Sequence, residues 1–344
     1  MKRSLNKRFW LIVLVALHLA ILAAGFIAPY DPTQQDRDRP FAPPMRLHFV
    51  DASGRFHLRP FAYAQVPKEN SFDQYNEDRA AIVPLRFLVR GVPYHFLGII
   101  PARLHLVGGG SSAINLLGTD GYGRDLFSRI MYGGQISILA GLLAASIALF
   151  LGTFIGSISG YFGSWTDAIL MRLVELCLAL PWLYLLFGVR AFLPLMVSPE
   201  KAFLIVVVVV GALGWARPAR LVRGVALSAK ERDFVRAARG FGASHLYLLS
   251  RHILPQTRSV VFTQAAILVP QFILAEVTLS FLGLGIPEPA PSWGNLLSSL
   301  QQYSVLSSYW WMYTPALAMV PFFFGYLSLS TALQEARHTA KIDL

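Results

Sequence analysis

Cysteine is all but missing from this 344-residue chain, and charge is scarce. The one thiol, Cys177, falls inside an apolar run. That excludes a disulfide framework or a cysteine-based metal site within one chain, and it reads as a small buried hydrophobe. Charged residues make up 14% of the chain, against roughly 25% in an average soluble domain, and the mean hydropathy is +0.50. So little polar surface excludes a water-soluble globule. No lysine follows a glycine, so the G-K-[ST] phosphate loop is absent, as are H-E-x-x-H and G-x-S-x-G. Any ATP hydrolysis therefore belongs to another chain.

What is present is a set of long apolar runs. A bilayer core of about 30 Å needs about 20 residues of helix, and the runs predict six crossings: Phe9 to Ala28, Ile136 to Ile158, Ala168 to Val189, Phe203 to Trp215, Val260 to Leu284 and Trp311 to Leu333. The fourth is the shortest. The first has the basic flank of a secretion signal and small residues Ala23 and Ala24 near its end. Its apolar length exceeds a signal core of roughly 7 to 15 residues, which favours a retained helix.

The formal charge of +11 would suit nucleic acid, but its distribution follows a membrane instead. Lys2, Arg3, Lys7 and Arg8 place the N-terminus in the cytoplasm, and six crossings return Arg337, His338 and Lys341 to the same side. Between the fourth and fifth runs lie Arg217, Arg220, Arg223, Lys230, Arg232, Arg236, Arg239, Arg251 and Arg258, opposed only by Glu231 and Asp233. The stretch from Pro287 to Tyr309 has no lysine or arginine and suits the outer face. In the second run Ala148, Gly152, Gly156 and Gly160 recur every four residues, a smooth helical face for close packing.

The architecture expected is thus an all-α polytopic membrane protein: six transmembrane helices with a small β-rich extracytoplasmic insert after the first. Residues 1–28 form the cytoplasmic N-terminus and first helix, 29–115 the insert, and 116–344 a five-helix core with a cytoplasmic loop at 217–258. In the insert, Met45 to Val50 and Arg55 to Phe61 flank the turn Asp51-Ala52-Ser53-Gly54 and predict a hairpin. Leu85 to Val89, Tyr94 to Ile100 and Arg103 to Val107 are further strand-like runs. His48, His57, His95 and His105 each sit between bulky apolar neighbours, which in a strand places them away from the core. No ligand spacing marks them as a metal site.

In the cytoplasmic loop, Ser228-Ala229-Lys230-Glu231 matches a capping box and predicts a short helix from Ser228. Phe234, Val235, Ala238 and Phe241 share one side of it, Gly240 and Gly242 stop it, and Ser244 opens a second short helix running to Pro255. Two helices around a glycine break make a protrusion for another subunit to grip. Without one, Phe234 and Phe241 either pack on the bundle or stay exposed.

Ala237-Ala238, three residues, Gly242, nine residues and His252-Ile253-Leu254-Pro255 resemble the EAA loop of binding-protein-dependent ABC importer permeases. Arg236 stands in place of the usual Glu and His252 in place of the usual Ile. The likeness runs from Leu116 to near Leu333 and is closest to the second permease of dipeptide and oligopeptide importers. It includes Leu117-Gly118-Thr119-Asp120, Gly123-Arg124-Asp125, Leu170-Met171-Arg172, Ala216-Arg217, Ser280-Phe281-Leu282-Gly283-Leu284-Gly285 and Pro291-Ser292-Trp293-Gly294. The insert lies outside the common family pattern.

The resemblance implies an inner-membrane subunit that pairs with a second permease in the lipid bilayer, binds two cytoplasmic ATPase subunits and receives solute from an extracytoplasmic binding protein. ATP and Mg would sit on the ATPases, with no cofactor, metal or nucleic acid held by this chain. The ATPase-coupling residues it marks are Phe234, Arg236, Ala237, Ala238, Gly242, His252, Leu254 and Pro255. Peptides are the expected solute, with nickel or another small solute as the alternative.

Within the membrane, Arg172 and Glu175 lie one helical step apart and are expected to pair. Glu276 lies inside the fifth run, where a charge is costly, and is expected to make a structural or gating contact. Pro270, Pro315 and Pro321 are expected to bend their helices. Two rival readings lack their signatures: an ion-coupled secondary transporter would show inverted repeats, and a membrane enzyme converging catalytic groups.

Overall fold

In a computed structural model the structure describes residues 2–68, 74–96, 99–110, 113–181, 184–185, 187–188 and 197–342, with side chains described over 8–335. The chain divides into two compact units: Met1–Val13, Ile138–Glu276 and Phe323–Leu344 form one, and Leu14–Ser137 and Val277–Phe322 the other. The longer helices are α1 (Lys2–Leu22), α2 (Leu126–Phe162), α3 (Ser164–Ala179), α4 (Pro199–Leu213), α5 (Ala216–Lys230), α6 (Asp233–Gly240), α7 (Leu254–Phe281), α8 (Trp293–Ser298) and α9 (Thr314–Ile342).

Among the described residues three helices are long and apolar enough to cross a membrane: Leu126–Phe162, His245–Phe281 and Trp310–Glu335. A fourth arises if α4 and α5, bent by 40° at their junction, count as one span. The expected count of six therefore exceeds what length and composition secure here. The apolar part of the first run is a shorter helix, Arg8–Leu22. The third ends at Ala179 because Leu180, the residue before Pro181, is extended. Its expected continuation to Val189 falls partly on residues outside the described set.

The first unit is organised by small residues. The expected smooth face of α2 packs on α5: a Cβ on Gly152 would stand 2.8 Å from the Trp215 carbonyl oxygen and one on Gly160 2.7 Å from that of Arg223. One on Gly156 would overlap the Ala219 carbonyl. Gly211 of α4 similarly meets the Ala144 carbonyl and Ile147, and Gly141 meets Ile273 and the Val269 carbonyl of α7. With helix axes this close, packing and backbone contact replace the hydrophobic effect that lipid cannot supply. Pro270 and Pro321 lie inside helices as expected. Pro315 does not bend one, since it sits at the start of α9, where its missing N–H costs nothing.

In the second unit the insert forms a three-stranded sheet, β1 (His48–Val50), β2 (Phe56–Pro67) and β3 (Tyr75–Pro84), and a two-stranded sheet, β4 (Arg86–Phe96) with β5 (Ile100–Gly108). The expected first hairpin is present around Asp51, whose carboxylate accepts the Ser53 and Arg55 amides. The runs at Leu85 and Tyr94 are one strand, β4, rather than two, and β3 adds a strand that alternation alone did not mark. Met45, Ala62, Val83, Leu85 and Ile114 make its small core. His105 is the exception among the histidines: it is 3% exposed, with Nδ1 2.6 Å from the Ala28 carbonyl and Nε2 2.9 Å from that of Val92. The partner β4 curls over it, so the alternation that predicted an outward ring fails there.

The same unit holds a buried charge cluster. Arg124 donates to Asp120 (2.7 Å) and Glu288 (2.7 Å), and Arg129, fully buried, donates to Glu288 (2.8 Å). Nearby, Trp293 is wholly buried and its indole N–H donates to the Ile130 carbonyl at 3.0 Å. Ser292 and Asn295 cap α8 reciprocally. The sequence blocks 117–133 and 285–294 are thus one packed corner.

Candidate functional site: the cytoplasmic protrusion

The protrusion does not begin where its capping box suggests. Ser228 lies inside α5, which continues to Lys230, and the next helix starts only at Asp233 after an extended Arg232. An uninterrupted helix from Ala216 outcompetes a local cap, and Asp233 instead places a negative charge in the first turn of α6.

Its end is built as expected. The Ala243 amide donates to the Ala238 carbonyl (3.1 Å) and the Gly242 amide to that of Arg239 (3.0 Å), with Gly242 at φ +83°. This is a Schellman closure, and the left-handed residue it requires is the glycine. Nothing lies within 4 Å of the position a Cβ would take, so only the backbone angle demands glycine here.

After the turn, Ser244 caps the next helix by accepting the Tyr247 amide. That helix does not stop at Pro255. It passes through a π-helical turn, Leu248–Ile253, and runs on as α7, one 37-residue helix from His245 to Phe281. The wider turn sits where Pro255 has no N–H for the carbonyl one turn back, so the helix adjusts rather than ends.

The protrusion is anchored by a small core of Tyr161, Ala226, Ala229, Val235, Leu248 and Ile253, with Ala238 packed against it. The Tyr161 hydroxyl lies 2.7 Å from His245 Nδ1, and the Arg239 guanidinium lies over the Tyr161 ring. Tyr161 and His245 were not singled out from sequence. They are 84 residues apart, and only the fold brings them together.

Of the residues marked for coupling, the fold brings Phe234 and His252 together, ring centroids 5.7 Å apart. Ala238 is half-buried, Ala237 and Gly242 are exposed, Leu254 is 37% exposed and Pro255 half-buried. The two phenylalanines do not pack on the bundle: Phe234 is 42% and Phe241 92% exposed. Leu246 and Tyr247 are exposed beside them. Arg236 donates to Glu231 at 2.7 Å on the open surface, which holds the Glu231 carboxyl below its usual range. The guanidinium that replaces the family's glutamate is thus paired within its own chain.

The three candidates expected within the membrane stand apart. Arg172 and Glu175 are 4.0 Å apart and largely exposed, a marginal pair on the outside of α3. Glu276 is fully buried near the end of α7. No group of three His, Cys, Asp or Glu side chains among the described residues converges as a metal site.

Residues 152–337 match the family model described as binding-protein-dependent transport system inner membrane component. A Brucella suis biovar 1 protein, named provisionally as a peptide permease protein, is 36% identical over 255 residues, covering 72% of this chain and 82% of its own. The dipeptide transport system permease protein DppC of Bacillus subtilis is 36% identical over 65% of this chain and 68% of its own. The oligopeptide transport system permease protein OppC of Haemophilus influenzae is 38% identical over 64% and 69%. The matched region contains Gly152, Gly156 and Gly160 at the end of α2, all of α5, the protrusion and its continuation into α7, and the chain belongs to the family of binding-protein-dependent transport system inner membrane components.

Proposed function

We propose that this chain is a pathway-forming subunit of an ATP-driven importer for dipeptides or oligopeptides. It works beside a second permease in the bacterial inner membrane. The names of its relatives support the solute class. Six crossings keep both termini in the cytoplasm and place residues 29–115 outside, facing a solute-binding protein. The core is 116–344, and the segment 217–258 carries the coupling protrusion. ATP and Mg bind two separate ATPase subunits, so this chain performs no chemistry of its own.

The observation that carries the reading is the pair of exposed phenylalanines on a rigidly closed helix pair, Phe234 and Phe241, with Gly242 fixing the turn. An aromatic side chain left 92% exposed on an ordered helix end is a knob without a socket, and an ATPase groove supplies the socket. When ATP closes the ATPase pair, differential binding to the two states moves the helix pair. Because the second member of that pair continues into α7, the motion passes directly into the bundle.

The test is co-expression with the second permease and the ATPases. Gly242→Val forces a β-branched residue to positive φ and should release the ATPases while the two permeases stay associated. Retained ATPases with unchanged uptake would sink the coupling role. Uptake of nickel but not peptide by the native complex would replace the solute class.

A further inference from the structure

α5 carries Arg217, Arg220 and Arg223 at three-residue spacing, one face of a helix. Arg223 is neutralised by Asp167, with both its donors 2.5 Å from the carboxylate. No carboxylate among the described residues lies within ion-pair distance of Arg217, whose side chain is exposed.

Arg217 stands at the start of α5, just past the bend from α4. Six residues before it, Gly211 of α4 packs against Ile147 and Ala144 of α2. An unpaired guanidinium beside an apolar helix end is satisfied by water or by a ligand in the space it faces.

Such a space is present. A cavity of about 370 Å³ lies between α3, α4 and α7, lined by Cys177, Leu213, Gly214, Arg217, Gln271 and Phe272. Apart from Gln271 the rest of its lining is apolar or small, and Arg217 is its one charged group. The cavity starts at the bend between α4 and α5, where a span is interrupted. Broken spans recur at the solute sites of transporters.

We infer that Arg217 receives the carboxylate of the transported solute, the C-terminal carboxylate in the case of a peptide, with Gln271 and the apolar wall accommodating the rest. The guanidinium fork matches a carboxylate in two parallel hydrogen bonds, and low polarity around it strengthens them. This rests on the peptide-importer reading above.

The experiment uses the complete transporter in proteoliposomes, with its binding protein. It follows uptake of one dipeptide and of its C-terminal amide. Arg217→Gln should lower import of the free acid about tenfold, the loss of one charge-assisted interaction. Import of the amide should fall far less than that of the acid, and Arg217→Lys should restore part of the acid uptake. Equal loss for acid and amide would make Arg217 a packing residue or a partner-subunit contact and overturn the inference alone. Unchanged acid uptake would do the same and leave Arg217 a lipid-headgroup contact. If the native complex imports neither peptide, the peptide reading fails and this inference with it.

Discussion

The helical region matched by the family model and the β-rich insert hold themselves together by opposite means. In the first, backbones approach through glycines: Gly156 and Gly160 of α2 each meet a main-chain carbonyl of α5, and Gly152 meets that of Trp215 just before it. The insert instead has small sheets over a core of five residues, and many of its apolar side chains remain outside, Leu58 at 91% and Ile99 at 80% exposure. A lipid-facing bundle gains nothing from merely burying apolar surface and must fit atom to atom. The insert needs only enough burial to keep its strands paired.

That contrast sets an order of sensitivity. Gly156→Leu should be the most damaging substitution, because the Ala219 carbonyl occupies the space and main chain cannot move aside cheaply. The expected loss is about 3 kcal/mol or more, visible as a large fall in thermal stability of the purified protein. If Gly156→Leu is tolerated, the close-packed description of α2 and α5 is wrong.

Glu288→Ala should come second. It leaves the buried Arg124 and Arg129 short of their shared acceptor. The cost should be about 2 kcal/mol, below the roughly 3–5 kcal/mol of a fully buried pair because Glu288 is half-exposed. Restoration by Glu288→Asp, even partial, in the same melting assay would tie the effect to the carboxylate.

Leu58→Ser should come last, within about 0.5 kcal/mol of the native protein, since the side chain touches little. A loss comparable to that of Glu288→Ala would mean that the insert surface is structural after all.

Much of the bundle was legible in sequence because its signals are local. The four-residue recurrence from Ala148 to Gly160 states the packing face outright, and Gly242 states a left-handed turn. The errors have a common cause, competition from longer-range structure. Ser228 carries every mark of a helix start, yet α5 arrives from Ala216 and runs through it. Pro255 carries every mark of a helix end, yet a π-turn absorbs it. His105 alternates like its fellows, but a carbonyl at Ala28, 77 residues away, draws it inward. In the protrusion the four residues read as one side divide, Val235 and Ala238 packing on the core while Phe234 and Phe241 stay exposed, and the anchor formed by Tyr161 and His245 depends on a contact no local pattern encodes.

The central claim is that the protrusion inserts its exposed aromatic end into an ATPase subunit. The single native thiol makes this directly measurable: with Cys177→Ala as background, Phe241→Cys carries the only cysteine. In the assembled transporter, a thiol-to-amine cross-linker should join this position to an ATPase, and the yield should change when ATP is added. Cross-links only to the second permease or to this chain, in a complex that still transports, would contradict the account.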